Sequence, residues 1–146
     1  MINTFSEIKN NYKKGNGFTK LLYINVAIFV IYMVIHVPQS VSSGNETPQI
    51  ENFVNNYLGV PSKIQELIYK PWTILSYMFI HKGGTEGVFH ILFNMIWLYF
   101  GTTLFLQSFN NKQLIKTYIL GGILGSIFYL IIFNLFPEYF GDTSLI

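Results

Sequence analysis

His90 and Asn94 are the residues of this chain whose types and spacing invite chemistry. Both interrupt a run of membrane length, VFHILFNMIWLYFG, that is otherwise apolar. Four residues apart on a helix is about 400° of rotation, so the two side chains share a face, ~6 Å apart along the axis. Polar groups inside hydrocarbon cost several kcal/mol unless satisfied, so the pair needs a reason. A metal is one reason to weigh, with His81, His90 and Glu86 as ligands around a glycine-rich turn. No H-E-x-x-H is present, and two histidines nine apart across glycines make a poor ligand pattern. No metal and no cofactor are expected.

The elements that must position His90 and Asn94 follow from composition. Of 146 residues, 51% are hydrophobic and 11% charged, against about 25% charged in ordinary soluble domains. Residues 21–37, 88–106 and 117–136 are long and apolar enough to cross or nearly cross a bilayer. The fold class expected is an all-α polytopic membrane protein forming one unit over 21–146, in contact with the lipid bilayer. Cysteine is absent, which removes disulfides, thiolate nucleophiles and sulfur-ligated metals. The net charge of +2 comes from lysines, with no arginine, and argues against nucleic acid as a partner.

Residues 1–20 are polar and carry Lys9, Lys13, Lys14 and Lys20 against Glu7. The apolar run that follows is read as an uncleaved first helix in preference to a signal peptide, because it is long for one and two more spans follow. Its polar exceptions, Asn25 and His36, lie near its two ends and are expected to reach a membrane interface. With three spans, 1–20 and 107–116 share a side and hold six of the nine lysines. The positive-inside rule puts that side in the cytoplasm. His90 and Asn94 then fall in the outer leaflet, within reach of outside water.

The loop between the first two spans shows its own pattern. After a polar turn at 41–47, Ile50, Phe53, Val54, Tyr57 and Leu58 form the stripe of an amphipathic helix. Thr47 as N-cap, Pro48 at the first helical position and Gly59 would delimit it. Ser62 and Gln65 have capping-box spacing before the stripe Ile64, Leu67 and Ile68. Such helices can lie on the membrane surface or pack on the spans, and the pattern allows both. Pro71 ends the second, and Trp72 and Tyr69 suit an interface. Residues 72–81 are too short to cross, so a re-entrant or interfacial segment is expected, then a turn at 82–87. In the third span, Gly121-x-x-x-Gly125 and Gly122-x-x-x-Ser126 are close-packing motifs, and Gly101 in the second span is read similarly. Asn134 is expected at an interface or a neighbouring helix. Phe136, Tyr139 and Phe140 form an aromatic belt before a polar turn at 142–144.

These residues resemble a known family. Pro71-Trp72-Thr73, then Tyr77-Met78-Phe79-Ile80-His81, then His90-Ile91-Leu92-Phe93-Asn94-Met95 resembles the rhomboid intramembrane serine proteases. Tyr118-Ile119-Leu120-Gly121-Gly122, continuing to Gly125, is similar to their third core helix. The lysine-bearing N-terminus leading into Leu21-Leu22-Tyr23-Ile24-Asn25-Val26 resembles members of the Bacteroidetes type. The resemblance implies a rhomboid-like helical bundle in a bacterial inner membrane, with an interfacial helical loop after the first span. It implies cleavage of transmembrane protein substrates by a serine–histidine dyad, the serine lying in a G-x-S-G motif on the fourth core helix and the base on the sixth. His90 and Asn94 would contribute to the oxyanion hole, and His81 would hold the loop.

Two departures bear on this. Members often carry arginine where Thr73 stands. No G-x-S-G occurs: Ser43 and Ser126 are the serines that adjoin a glycine, and neither fits the motif. The run at 141–146 resembles what precedes that motif in the family. The expectation is therefore an N-terminal half, with three spans and an oxyanion-hole portion, inactive alone and with the missing C-terminal half as a partner. The alternative is a non-catalytic rhomboid-like scaffold that binds transmembrane helices through its small-residue faces.

Overall fold

A computed structural model describes residues 4–44, 47–81 and 83–136. The aromatic belt at Tyr139 and Phe140, the polar turn at 142–144 and the run at 141–146 lie outside them, as does Lys82. The described residues form α1 (Thr4–Lys14), α2 (Gly17–Ser43), α3 (Gln49–Leu58), α4 (Ile64–Tyr69), α5 (Thr73–Ser76), a 3-10 turn at Tyr77–Phe79, α6 (Gly84–Phe105) and α7 (Asn111–Leu135). No strand occurs among them. Helices α2, α6 and α7 are long and apolar enough to cross a membrane, so the chain is a multi-pass membrane protein.

Each spanning helix is longer than its apolar run. Asn16 caps α2, its side-chain oxygen accepting from the Thr19 amide at 3.0 Å. At the far end α2 runs through Pro38 to Ser43, where the sequence suggests a turn. Ser42 and Ser43 direct their hydroxyls to the Gln39 carbonyl, and Gly44 leaves the helix at φ 62°. Only glycine takes that left-handed geometry without penalty. Helix α7 starts at Asn111 because Asn110 and Gln113 form a reciprocal capping box, which satisfies two amides that a helix start leaves unpaired.

Asn25 and His36 do not reach an interface. Asn25 is 1% exposed and donates to the Leu21 carbonyl at 2.8 Å and to the Tyr118 hydroxyl at 3.3 Å, which joins α2 to α7. A polar side chain between apolar helices is best satisfied by another helix, and here two acceptors are available. Beside it, Gly17 admits Leu114 and donates its amide to the Asn111 side chain at 2.7 Å.

The loop helices divide between the two solutions open to them. Helix α3 packs on α2 and α5 with Val54 buried. Its last turn is held by the Lys70 ammonium on the Asn56 carbonyl, the Trp72 indole on the Tyr57 carbonyl and the Ser76 hydroxyl on the Leu58 carbonyl, each at 2.7 Å. Helix α4 buries nothing and leaves Ile64, Ile68 and Tyr69 exposed. The expected caps shift by one residue. Pro48, not Thr47, is the N-cap of α3, and Lys63, not Ser62, is that of α4, without the capping box. Ser62 is instead buried, and its carbonyl accepts from Asn134 on α7 at 3.0 Å.

The small residues of α7 face an unexpected partner. Tyr77 donates its hydroxyl to the Gly122 carbonyl at 2.6 Å, and Gly122 lies directly against the Met78 side chain. A Cβ on Gly125 would come within 2.9 Å of the Tyr77 oxygen. Close approach is therefore to the segment 73–79, not to a second spanning helix. A Cβ added at Gly101 or Gly121 would meet nothing outside its own helix within 4 Å among the described residues.

Candidate functional site

Helix α6 places Glu86, His90 and Asn94 at successive fourth positions, one face of the helix. That face forms a wall of a cavity of about 620 Å³. The opposite walls are Tyr32 of α2, Glu51 and Val54 of α3, and Tyr77, Met78, Ile80, His81 and Gly83. His90 and Asn94 are both exposed, and neither side chain makes a hydrogen bond among the described residues. Two unused donors thus open on one space bounded by the loop and two spanning helices.

His81 is buried at the edge of this space, its ring 5.5 Å from that of His90 and 5.9 Å from that of Phe29, both edge-on. It joins the segment that follows α5 to α2 and α6. Burial pushes the imidazole below its ordinary value of 6.5, neighbouring His90 pushes the same way, and the Phe79 backbone opposes them. The neutral ring is therefore the form that fits. Since the folded state binds fewer protons than the unfolded one, this contribution to stability is present above about pH 6.5 and is lost as pH falls through the lowered folded-state value. Thermal unfolding in detergent is expected to show His81→Gln losing less stability than the parent between about pH 7 and pH 5. An equal loss in both would contradict it.

Glu86 also lines the cavity with His81 and His90. Among the described residues no three His, Asp or Glu side chains form a group able to hold a metal ion.

Sequence reasoning missed His36. The residue is 6% exposed, with Nε2 at 3.2 Å from Oε2 of Glu51 on α3. A hydrogen bond to the carboxylate requires the proton on Nε2. Tyr32 packs on the ring at 5.2 Å between centroids. Gly83, just before α6, sits on the ring so closely that a Cβ there would be 2.1 Å from Nε2. His36 thus holds together α2, α3 and the start of the helix that carries His90. Its signal was a histidine inside an apolar run, and nothing local identifies a partner fifteen residues on. Thr73, where the resemblance leads one to expect arginine, is fully buried and turns its hydroxyl to the Lys70 carbonyl at 2.7 Å. A closed turn replaces a long cation there.

Residues 69–141 match a family model described as the Rhomboid domain. This stretch runs from the end of α4 through α7 and includes His81, His90 and Asn94. Comparison with curated proteins and with solved structures gives no match.

Proposed function

The chain belongs to the rhomboid family, and on that premise we propose that it carries the oxyanion-stabilising part of an intramembrane serine endopeptidase site, with His90 and Asn94 as the donors. The observation that supports this reading is their shared, unbonded exposure to one cavity. Attack of a serine hydroxyl on a peptide carbonyl drives the bonding pair onto the carbonyl oxygen. Donors fixed where that charge develops, in a site of low dielectric, stabilise the transition state without reorganising. The imidazole N–H of His90 and the amide N–H of Asn94 are such donors. A histidine base takes the serine proton and returns it to the leaving amine.

Neither dyad member is found in these 146 residues. There is no G-x-S-G, and of the remaining histidines His36 is engaged with Glu51 and His81 is buried. The serine and the base come from a further polypeptide segment, and the substrates are transmembrane proteins that present a peptide bond to the cavity. The lysine asymmetry supports a cytoplasmic N-terminus with the cavity toward the outer leaflet, and the family resemblance supports a bacterial inner membrane. The scaffold reading keeps part of the face it needs: Gly122 lies against Met78, whereas Gly101, Gly121 and Gly125 are exposed.

In proteoliposomes the 146-residue chain alone is expected neither to react with a fluorophosphonate probe nor to cut a single-span substrate. Cleavage appears when a segment with the family's serine and histidine helices is co-reconstituted. Fluorophosphonate labelling of the 146-residue chain itself, abolished by Asn94→Ala, would overturn this assignment.

A further inference from the structure

A second cavity, of about 300 Å³, lies at the opposite ends of α2 and α6 from His90. Its walls are Asn16 and Phe18 at the start of α2, Tyr99, Thr102 and Leu106 near the end of α6, and Gln107 just beyond. Phe18 and Tyr99 meet edge to face at 5.6 Å and tie the two helices together.

Several polar groups here have hydrogen-bonding capacity to spare. Thr102 is 4% exposed, and its hydroxyl is buried without a partner among the described residues. Its neighbour Thr103 shows the usual alternative, donating to the Tyr99 carbonyl at 2.8 Å. The Asn16 side-chain oxygen is already used by the Thr19 amide and hydroxyl, at 3.0 and 3.1 Å, which leaves its NH₂ to donate. The Gln107 backbone amide donates to the Leu104 carbonyl at 3.2 Å, which leaves its exposed side-chain amide to meet a ligand. No carboxylate lines the cavity. The Thr102 hydroxyl and the side-chain amides of Asn16 and Gln107 can each donate, and an oxygen-rich headgroup is an acceptor for all three. An unpartnered buried hydroxyl costs free energy that such an acceptor would recover.

Position narrows the ligand. The cavity lies where two spanning helices end on the same side, which is the depth of phosphate and ester groups. Lys13, Lys14, Lys20 and Lys112 lie close in sequence to those helix ends, and lysines near a membrane surface attract anionic headgroups. We propose that this cavity binds one anionic phospholipid, its phosphate and ester oxygens taking protons from Thr102, Asn16 and Gln107 and its first methylenes lying on Phe18 and Leu106. The site is independent of any protease activity. It would brace α2 against α6.

Native mass spectrometry of the full 146-residue chain, released from nanodiscs of mixed phosphatidylglycerol and phosphatidylcholine, tests it. One phosphatidylglycerol is expected to survive delipidation that removes phosphatidylcholine. Thr102→Val and Gln107→Leu lower its apparent affinity about tenfold, as loss of a charge-assisted hydrogen bond would. Thr102→Ser retains it and shows that the fold tolerates change at the site. Thr117→Val, on α7 outside the cavity, also retains it. Equal retention of both lipids, or unchanged retention in Thr102→Val and Gln107→Leu, would overturn the proposal. Displacement of the lipid by millimolar glycerol 3-phosphate would overturn it in favour of a soluble phosphate.

Discussion

Replacing Asn94 by Ala, in proteoliposomes made active by a supplied serine–histidine segment, is expected to lower kcat by about 10²–10³ with KM changed less than about twofold. That loss corresponds to ~2.7–4 kcal/mol of transition-state stabilisation. A donor used only when the oxyanion forms contributes to kcat and not to ground-state binding. His90→Ala is expected to fall in the same range. The double variant should lose much less than the product of the two, since residual turnover is then set by the dyad. A structural role predicts otherwise. Asn94 is exposed and bonded to nothing among the described residues, so Asn94→Ala leaves the unfolding temperature unchanged. A parallel fall in stability and activity would count against the donor role.

Gly83→Ala is expected to destabilise the protein by about 1–3 kcal/mol, the usual cost of overpacking a tight contact. The added Cβ would lie 2.1, 2.3 and 2.6 Å from three atoms of the His36 ring. The ring is rigid and cannot retreat, with Tyr32 packed on it and Glu51 bonded to it. Backbone preference works the other way, because φ of −75° suits alanine and removing a glycine restricts the unfolded chain. That gain is only ~0.4–1 kcal/mol, so the clash wins. His36→Ala in the same chain vacates the space. The double variant should therefore be more stable than the sum of the two single changes by at least about 1 kcal/mol in a thermodynamic cycle. Additive losses would show that Gly83 and His36 do not share a contact in solution. Because Gly83 precedes the helix that carries His90, activity should recover with stability.

Much of this architecture was legible in the sequence. Hydropathy located the middle of each spanning helix, because burial in lipid is a property of the run itself. The same-face placement of His90 and Asn94 needed only helical periodicity, and the stripe through Ile50, Val54 and Leu58 identified α3 for the same reason. The ends were harder. Asn16 and Asn110 start helices inside polar segments, where side-chain capping rather than hydropathy decides; the Asn110–Gln113 spacing carried that information. Long-range pairing was not legible. Asn25 finds Tyr118, Asn134 finds the Ser62 carbonyl, and Gly122 finds Met78, each across a separation about which local sequence is silent. His36 belongs to this group. Its place between Glu51 and Gly83 exists only once the loop has folded back on α2.

Asn94 and His90 are proposed to donate hydrogen bonds to the oxygen of a tetrahedral intermediate. The most direct test of that role is an NMR spectrum of the complemented enzyme, with the Asn94 side-chain amide labelled with nitrogen-15, before and after a peptidyl ketoamide forms its adduct with the serine. A downfield shift of an Asn94 amide proton is expected on adduct formation, reduced when His90 is replaced by alanine and the oxyanion is less firmly held. An Asn94 resonance that stays in place while the adduct forms in full would contradict it.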